Sequence, residues 1–242
     1  MKGNNNGLSV FLFLFIAVFL IAPFISSCGK TGSVSPSALN VQYQIINLSP
    51  DLGSVDLYID FKKVNANSYF YPSASGYFYL TSIDTPLQIR PGASLISGTV
   101  VSTANLFNLR YILKPNLKYT LFITGFAKSD SALFITDTAA LPTIGRGKVR
   151  FLNASLNSLG LDIVANGTSA FLNQQYLKIS PFKELPAGNY DFQIFPKNSR
   201  DTVLRNIQNV TIQDGRLYTI YSYGLPGRTD SLAFGSGVIT NK

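Results

Sequence analysis

The chain has 242 residues, a formal net charge of +8 from 20 basic and 12 acidic residues, one cysteine, and neither histidine nor tryptophan. Those absences exclude a histidine-based catalytic triad and the usual His/Cys zinc sites, and a thiol nucleophile would have to be the sole cysteine. The basic residues are scattered through both halves, with Lys62 and Lys63 the one adjacent pair, so the clustered footprint of a nucleic-acid-binding surface is missing and no nucleic-acid partner is expected.

Lys2 supplies a short positive start, and an almost unbroken apolar run from Leu8 to Phe24 follows it. Then comes Ile25-Ser26-Ser27-Cys28. An apolar residue and two small ones before a cysteine resemble the lipobox of bacterial lipoproteins, in which a peptidase cuts before the cysteine and its thiol is acylated. The run also overlaps the lower end of membrane-spanning lengths, but the only cysteine stands at the cleavage point. Residues 1–27 are therefore read as a lipoprotein signal peptide and Cys28 as the lipidation site, with the membrane as partner. Removing 27 of the 242 residues leaves 215, which suits two domains. Residues 28–38, rich in Gly, Ser and Pro, read as a flexible tether.

From residue 39 onward helix signals are almost absent. Short runs such as Val41 to Asn47, Val55 to Asp60, Leu87 to Arg90, Tyr119 to Thr124 and Tyr218 to Tyr223 recur between Gly, Pro, Asn and Asp punctuation. The class is all-β, and several runs alternate apolar and polar residues as half-buried strands do. The pattern is also written twice. Asn47-Leu48-Ser49 with Val55-Asp56-Leu57 matches Asn153-Ala154-Ser155 with Leu161-Asp162-Ile163, and further along Leu87 to Pro91 matches Phe192 to Pro196. Tyr119-Thr120 matches Tyr218-Thr219, and Asp130-Ser131 matches Asp230-Ser231. A period near 100 residues is too long for a solenoid and suits a sandwich domain. The expectation is two tandem immunoglobulin-like β-sandwich domains, 39–140 and 148–242, joined through the Pro- and Gly-interrupted stretch Ala140 to Lys148.

An opening strand, Asn-x-Ser, and nine residues from Asn to an Asp within a second strand resemble the family called domain of unknown function 4397. Leu185-Pro186-Ala187-Gly188-Asn189-Tyr190 is similar to that family's Leu-Pro-Ala-Gly-x-Tyr turn, whereas the first repeat has Leu80 to Pro86 there, without the Gly. The resemblance implies extracytoplasmic β-rich modules, often tandem and lipid-anchored, and brings no reaction, ligand or catalytic residue.

Candidate sites are few. Asp56 and Asp162 recur, as metal ligands would, but each stands alone in its repeat, and Asp in such turns ordinarily satisfies local backbone groups. The spaced oxygens of Asn47 to Asp51 only faintly approximate a calcium loop, so no metal and no cofactor are expected. Glu184, the one glutamate, could serve a two-carboxylate glycosidase, yet no spacing selects its partner acid. Tyr69, Tyr71, Tyr77 and Tyr79 could form a sugar-stacking platform, although alternating aromatics more often fill a sheet interior. Asp130-Ser131, Asp137-Thr138, Asp201-Thr202 and Asp230-Ser231, each before an apolar residue, resemble acceptor sites for envelope O-glycosylation and are equally ordinary turn pairs. The Asn-x-Ser/Thr sequons at Asn47, Asn153, Asn166 and Asn209 matter only in a eukaryotic-type pathway. The sequence thus predicts a non-catalytic cell-envelope lipoprotein on the outer membrane, acting in binding or adhesion toward an envelope protein or glycan. The alternatives are a structural or assembly subunit and a carbohydrate-active hydrolase.

Overall fold

The computed structural model describes residues 39–80, 82–92, 105–126 and 129–241. The expected signal peptide, tether and Cys28 lie outside the described residues. Residues Pro36–Lys242 form one compact unit.

All the named elements are strands. In the first repeat they are β1 (Gln42–Asn47), β2 (Ser54–Ile59), β3 (Lys62–Lys63), β4 (Tyr69–Phe70), β5 (Ser73–Ala74), β6 (Phe78–Tyr79), β7 (Leu87–Pro91), β8 (Phe107–Leu109), β9 (Lys118–Thr124) and β10 (Ser131–Thr136). In the second they are β11 (Arg146–Asn153), β12 (Leu161–Ala165), β13 (Thr168–Gln174), β14 (Lys183–Pro186), β15 (Gly188–Pro196), β16 (Arg205–Ile212), β17 (Leu217–Tyr223) and β18 (Gly235–Thr240). The stretch Tyr69 to Leu80 carries three two-residue strands.

Each repeat is a two-sheet sandwich. One sheet has the order β10-β9-β1-β5 with β6 also on β1, and faces β3-β2-β7-β8 with β4 also on β2. The second repeat repeats the plan as β14-β11-β17-β18 facing β13-β12-β15-β16. In both, the opening strand runs parallel to the penultimate one, β1 to β9 and β11 to β17. The period-two alternation of side chains puts Tyr43, Ile45, Val55, Leu57, Leu87, Ile89, Tyr119 and Leu121 into the first core. Val149, Phe151, Ile163, Phe192, Ile194 and Ile220 do the same in the second.

A third core lies between the repeats. The outward faces of β1, β9 and β10 meet those of β11, β17 and β18, burying Ile46, Phe122, Ile135, Leu152, Tyr221 and Ile239. Phe122 and Tyr221 meet edge to face at a centroid distance of 5.8 Å. Strands with apolar residues on one face and mixed residues on the other are thus buried on both, and Gln44, Thr120, Arg150 and Thr219 are each no more than 6% exposed.

Candidate functional site

The two sheets of the first repeat part along one flank, where β3 and β4 edge one sheet and β5 and β6 edge the other. A groove of about 560 Å³ opens there, lined by Ile59, Val64, Tyr69, Phe78 and Tyr79 together with Asp60, Lys62, Lys63 and Asp84. Phe78 packs inward, stacked on Tyr69 at 6.4 Å and against Tyr43 at 6.2 Å. Tyr79, the next residue on β6, points outward by strand alternation and is 56% exposed.

The four candidate tyrosines therefore divide. Tyr69 and Tyr79 share the groove. Tyr71 instead meets Tyr223 of the second repeat edge to face at 5.9 Å, and burial, with smaller contributions from Tyr223 and Asp230, pushes its hydroxyl up to about 12. Tyr77 belongs to the junction between the repeats. Its hydroxyl donates to Asp137 at 2.9 Å and accepts from Asn241 at 3.0 Å, and burial followed by the neighbouring Asp137 carboxylate keeps it protonated as a donor.

That junction is a buried polar cluster whose members no spacing in the sequence brings together. Asp137 accepts from Arg150, from Asn241 at 3.1 Å and from Thr120 at 2.6 Å, while Arg150 donates to Thr219 at 2.8 Å. Burial lifts the Asp137 carboxyl above its ordinary range, opposed by the Arg150 guanidinium and the hydroxyls of Thr120 and Tyr77. Charge and hydrogen bonds are thus matched across the cluster.

The recurring acids are likewise occupied. Asp56 pairs with Lys63 at 2.8 Å and accepts from Asn65 at 2.8 Å. Asp162 pairs with Arg200 at 3.0 Å and accepts from the amide of Asn173 at 2.7 Å. Burial raises both carboxyls, but those partners outweigh it and hold each below its ordinary value. Glu184 accepts from the Thr143 amide at 3.2 Å with Lys148 at 3.7 Å, and these contacts, the bonds from Thr143 first, lower it too. A glycosidase acid needs the opposite shift. Among the described residues no group of three or more acids or cysteines is placed to hold a metal ion.

The repeated Asn-x-Ser is a fastening between sheets. Asn47 donates to the carbonyls of Gly53 and of Tyr69 in the facing sheet, at 3.2 and 3.1 Å, and accepts from Ser49 N at 3.1 Å. Asn153 donates to the carbonyl of Gln174 in its own facing sheet at 2.8 Å and accepts from Ser155 N at 3.0 Å. The serine hydroxyls then reach the carbonyls just past the penultimate strands, Ser49 to Gly125 at 2.8 Å and Ser155 to Gly224 at 2.9 Å. Of the acceptor-like pairs, Thr138, Thr202 and Ser231 are exposed, and Ser131 is half-buried in β10.

A family model described as domain of unknown function (DUF4397) matches residues 41–158 and again residues 147–234. No curated protein matches the chain. Among solved structures, the Bacillus anthracis TIE protein is similar at 10% identity and a TM-score of 0.24, over 76% of this chain and 34% of that one. The chain thus spans about a third of that protein's length, and a superposition so loose carries no argument about function.

Proposed function

The chain belongs to the DUF4397 family, and from that premise we propose that it is a non-catalytic, lipid-anchored envelope module that binds its ligand along the flank of the first repeat. The carrying observation is the groove between β4 and β6, where exposed Tyr79 stands beside Tyr69, Phe78 and a mixed set of charges. An aromatic face with hydrogen-bonding neighbours of both signs suits a saccharide ring or an extended peptide of an envelope partner. The acids that chemistry could have used support the same reading, because Asp56, Asp162 and Asp137 are each held by a cation.

The test is a glycan array and an envelope pull-down with the wild-type chain and a Tyr79→Ala variant. Binding lost on substitution is expected, and binding unchanged by it would contradict the assignment. Anchoring is tested separately by the mass of the mature N-terminus, with acylated Cys28 expected and a Cys28→Ser variant released from membranes.

A second reading, a spacer or assembly subunit, draws on the third core, which buries apolar residues of both repeats against one another. It predicts crosslinking to a fixed envelope complex through the second repeat with the Tyr79→Ala variant unimpaired.

A further inference from the structure

The end of the folded unit from which the tether departs is unlike the opposite end. The Leu39 carbonyl accepts from Asn116 N at 3.2 Å, which puts the chain entry beside the loop 110–117. Thr124 Oγ1 donates to the Ala154 carbonyl at 3.2 Å while Arg150 meets Asp137 next to Thr120, so β9 and β11 run in the same direction. The connection 137–145 therefore turns at the same end, and so does the Asp60-Phe61 turn between β2 and β3, since Asp60 N donates to the Pro86 carbonyl beside the start of β7.

This end displays Phe61, Ile112, Leu141 and Ile144, with exposures of 63, 82, 59 and 92%. Lys62, Arg110, Lys114, Arg146 and Arg216 are exposed around them. The acids here are Asp60, Asp84, Glu184 and Asp214, the last accepting from the amides of Gly145 and Arg146.

Phe61 adds an independent sign. It sits at φ +63 in a two-residue hairpin turn, where the second repeat places Gly167 at φ +79. A bulky residue in the left-handed region is strained, and this one gains no burial in exchange.

We propose that this end docks on an anionic lipid surface, with Phe61, Ile112, Leu141 and Ile144 entering the headgroup region and the surrounding Lys and Arg side chains meeting lipid phosphates. Occupancy by lipid follows from where the chain leaves the fold. The eleven residues 28–38 reach no further than roughly 40 Å even when fully extended, so a Cys28 anchor holds this end near a bilayer. The arrangement deepens the envelope reading and rests on it for the tether, but the docking face itself belongs to the folded unit. The ligand groove opens on the flank beside that face.

Residues 36–242 hold all three cores in one compact unit, and they are mixed without the anchor with vesicles of phosphatidylethanolamine alone or with added phosphatidylglycerol. Sedimentation with the anionic vesicles, weakened by salt, is expected. Ile144→Asp should weaken it by about tenfold or more, and Leu159→Asp, at the opposite end, should not. Phe61→Gly gives the sharpest contrast, because docking predicts weaker vesicle binding together with a higher melting temperature. No sedimentation with any vesicle, or binding indifferent to Ile144 and Phe61, would overturn docking. Full-length chain that still fractionates with membranes in that case would leave the lipid-anchored reading standing.

Discussion

Asn153 is fully buried, and its amide fastens the Gln174 carbonyl and the Ser155 amide in one step. Asn153→Ala removes both bonds and leaves the buried Ser155 amide without its partner, at a cost of about 3 kcal/mol, or a melting temperature lower by roughly 10 °C. Ser155→Ala loses one hydroxyl bond to Gly224 and should cost about 1 kcal/mol. Thermal melts of the two variants check the ratio, and equal losses would mean that the amide does not bridge the sheets. The same spacing that suggested a family signature in the sequence was legible as a position but not as a role. Nothing in Asn-x-Ser indicates that its partners lie twenty residues away in the facing sheet. The Asp162 carboxyl makes a pH prediction. Its unfolded value is 3.8 and its folded value is lower, so its stabilisation is complete above the unfolded value and is lost as pH falls through the folded one. Asp137, lifted by burial, has the opposite sign and loses its contribution as pH rises through its folded value. Asp162→Asn should therefore flatten the fall in melting temperature between about pH 5 and pH 2, and an unchanged acid slope would contradict the ion pair.

At the scale of elements, turn chemistry decides what substitutions the strands tolerate. Gly224 follows β17 at φ +71, and a Cβ there would stand 2.3 Å from the Ala233 carbonyl oxygen. Gly167 has φ +79 with open space around it. Gly224→Ala should cost more than about 2 kcal/mol and Gly167→Ala about 1 kcal/mol, since the first adds a backbone clash to the strain they share. Chemical denaturation midpoints check the order. The Asn166-Gly167 hairpin illustrates what the sequence makes plain, for Asn-Gly between two strand-like runs specifies a two-residue turn. Its counterpart Asp60-Phe61 does not carry that signature, and β3 beyond it is only two residues long. The flank groove was legible only in part, since Tyr69 and Tyr79 stood out in the sequence but the groove's shape did not, because β4, β5 and β6 are two-residue strands set by pairing with β1 and β2 rather than by any run of their own.

For the whole molecule, the central feature is the buried face between the repeats. The duplication was readable from matched spacings, and each sandwich from alternation, but the polar members of that alternation pointed to solvent. Gln44, Thr120, Arg150 and Thr219 are buried at the junction instead, where Asp137 accepts from Thr120 and, across the repeats, from Arg150, Asn241 accepts from Thr219, and Gln44 is met by Thr120. Polarity alone does not separate a wet face from a matched polar interface; only the partner does. Arg150 is 7% exposed along its side chain and its partner Asp137 is fully buried, so Arg150→Ala leaves an uncompensated carboxylate and should cost about 3–5 kcal/mol. The most direct test is scanning calorimetry of residues 36–242, wild type and Arg150→Ala. Two repeats sharing a core must unfold in one cooperative transition whose enthalpy matches the whole unit, and the substitution must shift that single transition downward. Two separate transitions, with only one of them moved by the substitution, would contradict a shared core and return the chain to two independent sandwiches.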